Sequence, residues 1–91
     1  MKVEQRFGEN LIRLRHAAGL SQEQLGFAAE LHRTEIGMLE RGVRMARIDT
    51  LAKLAGALDT TPNDLMAGIA WTPGGFSRGH FSGCHTTEVP F

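Results

Sequence analysis

Residues 20–42 read LSQEQLGFAAELHRTEIGMLERG, and this stretch decides the fold. Ser21 is a good N-cap, and Gln24 three residues later completes a capping box, in which each residue's side chain accepts the other's backbone N–H. Leu20 before the cap and Leu25 at the fourth helical position form a hydrophobic staple. The spacing predicts a helix from Gln22 to about Glu30, with Leu25 and Ala29 facing inward. A second helix is expected over about Arg33 to Arg41, with Ile36 and Leu39 inward and Gly42 ending it. His32 is a poor cap for it, but Glu35 at the third helical position sets a carboxylate near the positive helix end.

Only a few residues, Leu31 and His32 among them, join these two helices. Short helices so linked cannot lie antiparallel. They cross steeply, which is the helix-turn-helix geometry. The second helix is then pushed outward, with its first residues available to a major groove.

Other helices flank this pair. A first is expected from about Gln5 to Ala18, with Phe7, Leu11, Leu14 and Ala18 on one stripe and Gly19 as its stop. After a loop from Val43 to Arg47, a fourth spans about Ile48 to Leu58, with Ile48, Leu51, Ala55 and Leu58 on one face and Leu54 alongside. Thr61 caps a fifth, in which Pro62 takes the first helical position, where its missing N–H costs nothing, and Leu65 and Ile69 turn inward. No segment shows strand alternation. The expected fold is all-α, a five-helix domain over residues 1–70 with a Gly-rich tail over 71–91. Residues 72–91 hold four glycines, two prolines and no leucine, so the tail is expected to be extended or disordered.

Composition sets the outer limits. The 91 residues make one small domain. Ten Lys plus Arg balance ten Asp plus Glu, which excludes a histone-like basic arm and an acidic tail. No apolar run reaches the roughly 18 residues of a membrane helix, and Glu4 and Arg6 interrupt any signal-peptide core. The single cysteine, Cys84, permits no internal disulfide, so a reducing, cytoplasmic setting fits. His80, Cys84 and His85 sit close together, but no further ligand cluster completes a zinc set, and neither metal nor cofactor is expected. An enzyme is not expected either: there is no nucleophile–base pair, phosphate-binding glycine loop or carboxylate dyad.

The stretch from Leu20 to Gly42, with its LSQEQL start and ERG end, resembles the helix-turn-helix of the Cro and phage-repressor class, also called the XRE family. The similarity continues through RIDTLAKLAGALDTTPNDLMAG, Arg47 to Gly68, and covers about residues 6–70. The resemblance implies a sequence-specific DNA-binding regulator that pairs as a homodimer on a near-palindromic operator of double-stranded DNA. It implies that Gln22 and the start of its helix meet a phosphate, with Ser21 adding its hydroxyl beyond capping. On the outer face of the third helix, Arg33 is expected to read a guanine. Thr34 would meet a thymine methyl or a phosphate, and Met38 a thymine methyl or a protein partner. Glu35 either accepts from a cytosine amino group or steadies the helix end. Arg41, Arg44 and Arg47 follow as phosphate contacts, because four arginines against two acids lie between Arg33 and Arg47. Glu40 is expected to pair with Arg15, a structural ion pair joining the third helix to the first.

Three features depart from the family pattern. His32 stands where Ser or Thr is usual, Glu30 where the turn often has glycine, and Phe27 where a polar residue is usual. Phe27 is expected to meet a partner or the tail, or to fold against its own neighbours. A second functional reading follows from it: a protein-interaction module, such as an antitoxin, holding its partner through Phe27, Met38 and the aromatic tail. Trp71, Met66 and Ile69 are expected at a dimer contact.

Overall fold

The computed structural model describes residues 1–82. Five helices come first: α1 Val3–Ala17, α2 Gln22–Ala29, α3 Arg33–Glu40, α4 Ile48–Ala57 and α5 Pro62–Leu65. Two short strands follow, β1 Ala70–Thr72 and β2 His80–Ser82, paired antiparallel with Trp71 opposite Phe81.

The helix starts follow from their caps. Ser21 Oγ accepts the Gln24 N–H at 3.0 Å, and the Ser21 N–H donates to Gln24 Oε1 at 2.8 Å. Thr61 and Pro62 open α5 as the sequence implies. The Thr60 hydroxyl, with the Thr61 backbone and side chain, holds the Asp64 carboxyl below the ordinary carboxylate range. That contribution is present while Asp64 is ionised and is lost as pH falls through its lowered folded value. α1 begins at Val3 rather than Gln5, because the Lys2 N–H donates to Gln5 Oε1 at 2.8 Å and sets the turn early. His32 proves an effective cap, contrary to expectation: its Nδ1 accepts the Thr34 N–H at 3.0 Å. A neutral imidazole has one bare ring nitrogen, which serves here as a serine oxygen would.

The core gathers Phe7 and Leu11 of α1, Leu25 and Ala29 of α2, Ile36 and Leu39 of α3, and Leu54, Ala55, Leu58 and Leu65 beyond. Ile69 packs against it from the edge. Two expected core residues are not in it. Ala18 is the exposed C-cap of α1, already past the turn that faces inward. Ile48 is 85 % exposed, since it opens α4 before the helix reaches the core.

Two glycines let α3 sit where it does. A Cβ on Gly8 of α1 would lie 2.6 Å from the Leu39 and Glu40 carbonyl oxygens, under the end of α3. A Cβ on Gly26 of α2 would lie 2.6 Å from the Leu31 carbonyl oxygen, under the turn that starts α3. Both would strike backbone, which cannot swing aside. The buried Asn10 ties α1 to the end of α5, donating to the Leu65 and Ala67 carbonyls, each at 2.9 Å.

The strand pair corrects the expectation of a tail without strands. Each strand has only three residues, too few for a period to show. What joins them is an edge-to-face contact of Trp71 with Phe81, with ring centroids 5.0 Å apart. Residues 83–91, with Cys84, His85 and Phe91, lie outside the described residues.

Glu30 closes α2 at φ +57°, in the left-handed region. A side chain there costs about 1–2 kcal/mol, offset in part by the extra unfolded-state freedom a glycine would bring. Glu30→Gly should therefore stabilise the fold by about 1 kcal/mol, read as a rise of the thermal midpoint by roughly 4–8 °C in circular dichroism. An unchanged or lower midpoint would refute the strain.

Candidate nucleic-acid interface

The inward face of α3 is fixed before its outward face can act. Ile36 and Leu39 are fully buried. Glu40, at the last position of α3, reaches under α1 and α2. Arg15 meets it with both ends of the guanidinium, Nε to Oε2 at 2.6 Å and Nη2 to Oε1 at 3.1 Å. The third nitrogen, Nη1, donates to the Leu20 carbonyl at 3.0 Å. Gln22 Nε2 donates to Glu40 Oε1 at 2.8 Å. The two charged side chains are only 12 % and 4 % exposed. One carboxylate thus joins the end of α1, the start of α2 and the end of α3.

That arrangement leaves a defined outer surface. Arg33 and Thr34 at the start of α3 are exposed, and Glu35 and Met38 are half-buried. Arg41, Arg44 and Arg47 are exposed beyond the helix. Arg47 also pairs with Asp49, Nε to Oδ1 at 3.3 Å, with both side chains mostly in solvent, so the bond adds little. At the start of α2, Ser21 Oγ accepts the cap bond from the Gln24 N–H, and the Gln22 amide gives one of its two hydrogens to Glu40. The first N–H groups of α2 have no partner within the helix, as at any helix start. The surface offers guanidinium groups, backbone donors and a methionine along one outward helix, which suits phosphates and base edges. Among the described residues no group of His, Cys, Asp or Glu is arranged to hold a metal.

Phe27 is 89 % exposed, so it does not fold against its neighbours. It borders a depression shared with Glu23, Leu31, His32 and Arg33. A second apolar feature was legible in the sequence only through Met66 and Ile69. Val3, Met45, Ile48, Leu51, Met66 and Ile69 line a cleft where the start of α1, the loop after α3, the start of α4 and the segment just after α5 meet. Trp71 and Phe81 stand exposed in the segment that follows.

α2, a tight turn and a projecting α3 make the chain a helix-turn-helix protein. The sequence model of the family described as Helix-turn-helix (HTH_3) matches residues 11–65. The chain is 39 % identical over 61 residues to Control protein C.BamHI of Bacillus amyloliquefaciens, covering 66 % of this chain and 75 % of that one. It is 41 % identical over 66 residues to Control protein C.SmaI of Serratia marcescens, covering 72 % and 79 %. The crystal structure of the restriction-modification controller protein C.AhdI from Aeromonas hydrophila matches with a TM-score of 0.67 and 45 % identity, over 68 % of this chain and 94 % of that chain. The chain belongs to the helix-turn-helix family of Cro and phage-repressor type. It is a sequence-specific DNA-binding transcriptional regulator. No helix among the described residues is long and apolar enough to cross a membrane.

Arg15→Met should cost about 3 kcal/mol, because it leaves the Glu40 carboxylate buried with Gln22 alone. Urea unfolding followed by circular dichroism checks this. A loss below about 1 kcal/mol, the range of a surface pair, would contradict the structural role.

Proposed function

We propose that this chain acts as a homodimer on a near-palindromic operator, with α3 in the major groove of each half-site and the half-sites about one helical turn apart. The observation that carries this reading is the exposure of Arg33 and Thr34 on a helix whose opposite face is locked by Ile36, Leu39 and Glu40. Arg33 bonds both acceptors of a guanine, and Thr34 and Met38 lie against thymine methyls. Glu35, half-buried on the first turn, accepts from a cytosine amino group where one is in reach. Arg41, Arg44 and Arg47 meet phosphates. Ser21 Oγ accepts from the Gln24 N–H and keeps its own hydrogen, and Gln22 Nε2 gives only one of its two to Glu40, so the Ser21 hydroxyl, the Gln22 amide and the first N–H groups of α2 meet a phosphate at that end. Residues 1–70 form the DNA-binding unit, and 71–91 an appended interaction segment. By its similarity to C.BamHI, C.SmaI and C.AhdI, the chain regulates genes as a restriction-modification controller does, in the cytoplasm on the nucleoid. Its protein partner is a second copy of itself. The exposed Phe27 supports a second reading, a separate protein partner held beside α3.

Paired substitutions test the base-reading roles. Arg33→Ala should cost about 1–3 kcal/mol and relax preference at one base pair, whereas Arg44→Ala should weaken all duplexes alike and lower the salt dependence. Uniform weakening by both would contradict the assignment.

The apolar cleft carries the dimer. Ile48→Glu should turn a sedimenting dimer into a monomer with the same helical content, and weaken binding to a two-half-site duplex far more than to a single half-site. A dimer that survives this substitution would remove the cleft from the interface.

A further inference from the structure

We propose that Gly37 is a positioning residue for DNA binding: by leaving a trough open across α3, it seats the Arg41 guanidinium beside Gln22, where Arg41 meets the backbone of the duplex. The proposal rests on the reading of Arg41 as a phosphate contact.

Gly37 lies four residues after Arg33 and four before Arg41, so the three share one stripe of the helix. Arg33 and Arg41 on this stripe are exposed, yet Gly37 is buried. The cover is visible in the distances. A Cβ built on Gly37 would lie 3.1 Å from Arg41 Nη1 and 3.9 Å from Gln22 Oε1. Arg41 is the C-cap of α3, and its side chain runs back toward the helix start, as helical side chains lean. The guanidinium comes to rest over Gly37, close to the first residue of α2.

Gln22 forms the fixed wall of this trough. Its Nε2 is bonded to Glu40 at 2.8 Å, and Glu40 is bonded in turn to Arg15, so the amide cannot turn freely. The arginine is the movable part. A methyl group at position 37 would meet only the far end of the Arg41 side chain at close range, and no backbone of another element within 4 Å. The fold can accept an alanine here because the guanidinium, the far end of a flexible side chain, need give way by only a few tenths of an ångström. Since glycine inside a helix is weaker than alanine, position 37 gives up helix stability for an open outer surface. The open trough places a full positive charge between the end of α3 and the start of α2, the two segments nearest the expected backbone contacts.

The test uses the full chain and a labelled mixed-sequence duplex, which needs no knowledge of the operator. Affinity is measured by fluorescence anisotropy over a series of salt concentrations, and thermal midpoints by circular dichroism. Gly37→Ala should melt higher than the parent yet bind more weakly, with the slope of log affinity against log salt reduced toward the loss of about 0.9 that one phosphate contact carries. Arg41→Ala should lose the same slope, and the double variant should be no weaker than Arg41→Ala. A Gly37→Ala variant with unchanged affinity and slope overturns the positioning role while leaving Arg41 as a phosphate contact. A double variant much weaker than Arg41→Ala overturns it differently, since glycine would then serve the approach of the duplex itself. A Gly37→Ala variant that melts lower contradicts the premise that only the guanidinium must move. If Arg41→Ala leaves the slope unchanged, the phosphate reading of Arg41 fails and the proposal falls with it.

Discussion

The bidentate bond between Arg15 and Glu40 is the constraint on which the surface depends. A nearly buried carboxylate is costly unless every lone pair finds a donor. Here it accepts from Arg15 twice and from Gln22 once, and Arg15 spends its remaining nitrogen on the Leu20 carbonyl. Because the donors come from α1 and α2 and the acceptor from α3, satisfying one charge fixes three helices together. The close approach that brings them within bonding distance is possible only because Gly8 and Gly26 have no side chains. The apolar residues Ile36 and Leu39 supply the attraction, and the ion pair sets the rotation of α3 about its axis.

A fixed rotation explains how a chain of zero net charge serves as a DNA-binding regulator. Glu40, one of the two acids between Arg33 and Arg47, is turned inward and compensated by Arg15. The arginines of the same stretch are turned outward. The whole-chain charge of zero therefore says little about the surface near α3. The loop that carries the exposed Arg44 also contributes Met45 to the apolar cleft with Ile48 and Met66.

Much of this was legible in the sequence because it is local. The Ser21–Gln24 box, the left-handed stops at Gly19 and Gly42, and the inward set Leu25, Ile36 and Leu39 follow from caps and spacing within a few residues. The family resemblance brought Arg15 and Glu40 together across a separation that no periodicity can reach. What escaped was decided by geometry at longer range or by finer chemistry. Ile48 fits the apolar stripe of α4, but its place at the helix start leaves it in solvent. His32 caps through a bare ring nitrogen that propensity ranks below a hydroxyl. Trp71 and Phe81 pair across a turn, with strands too short to alternate. The roles of Gly8 and Gly26 depend on which backbone lies above them, which one sequence does not reveal.

The most direct test of the account is a selection of bound duplexes from a random pool at low and at moderate salt. A projecting α3 on a paired domain predicts an inverted repeat with half-sites about one helical turn apart, and an affinity that falls steeply with salt. A pool that stays unenriched even at low salt would contradict it, and would mean that the face holding Arg33 serves something other than DNA.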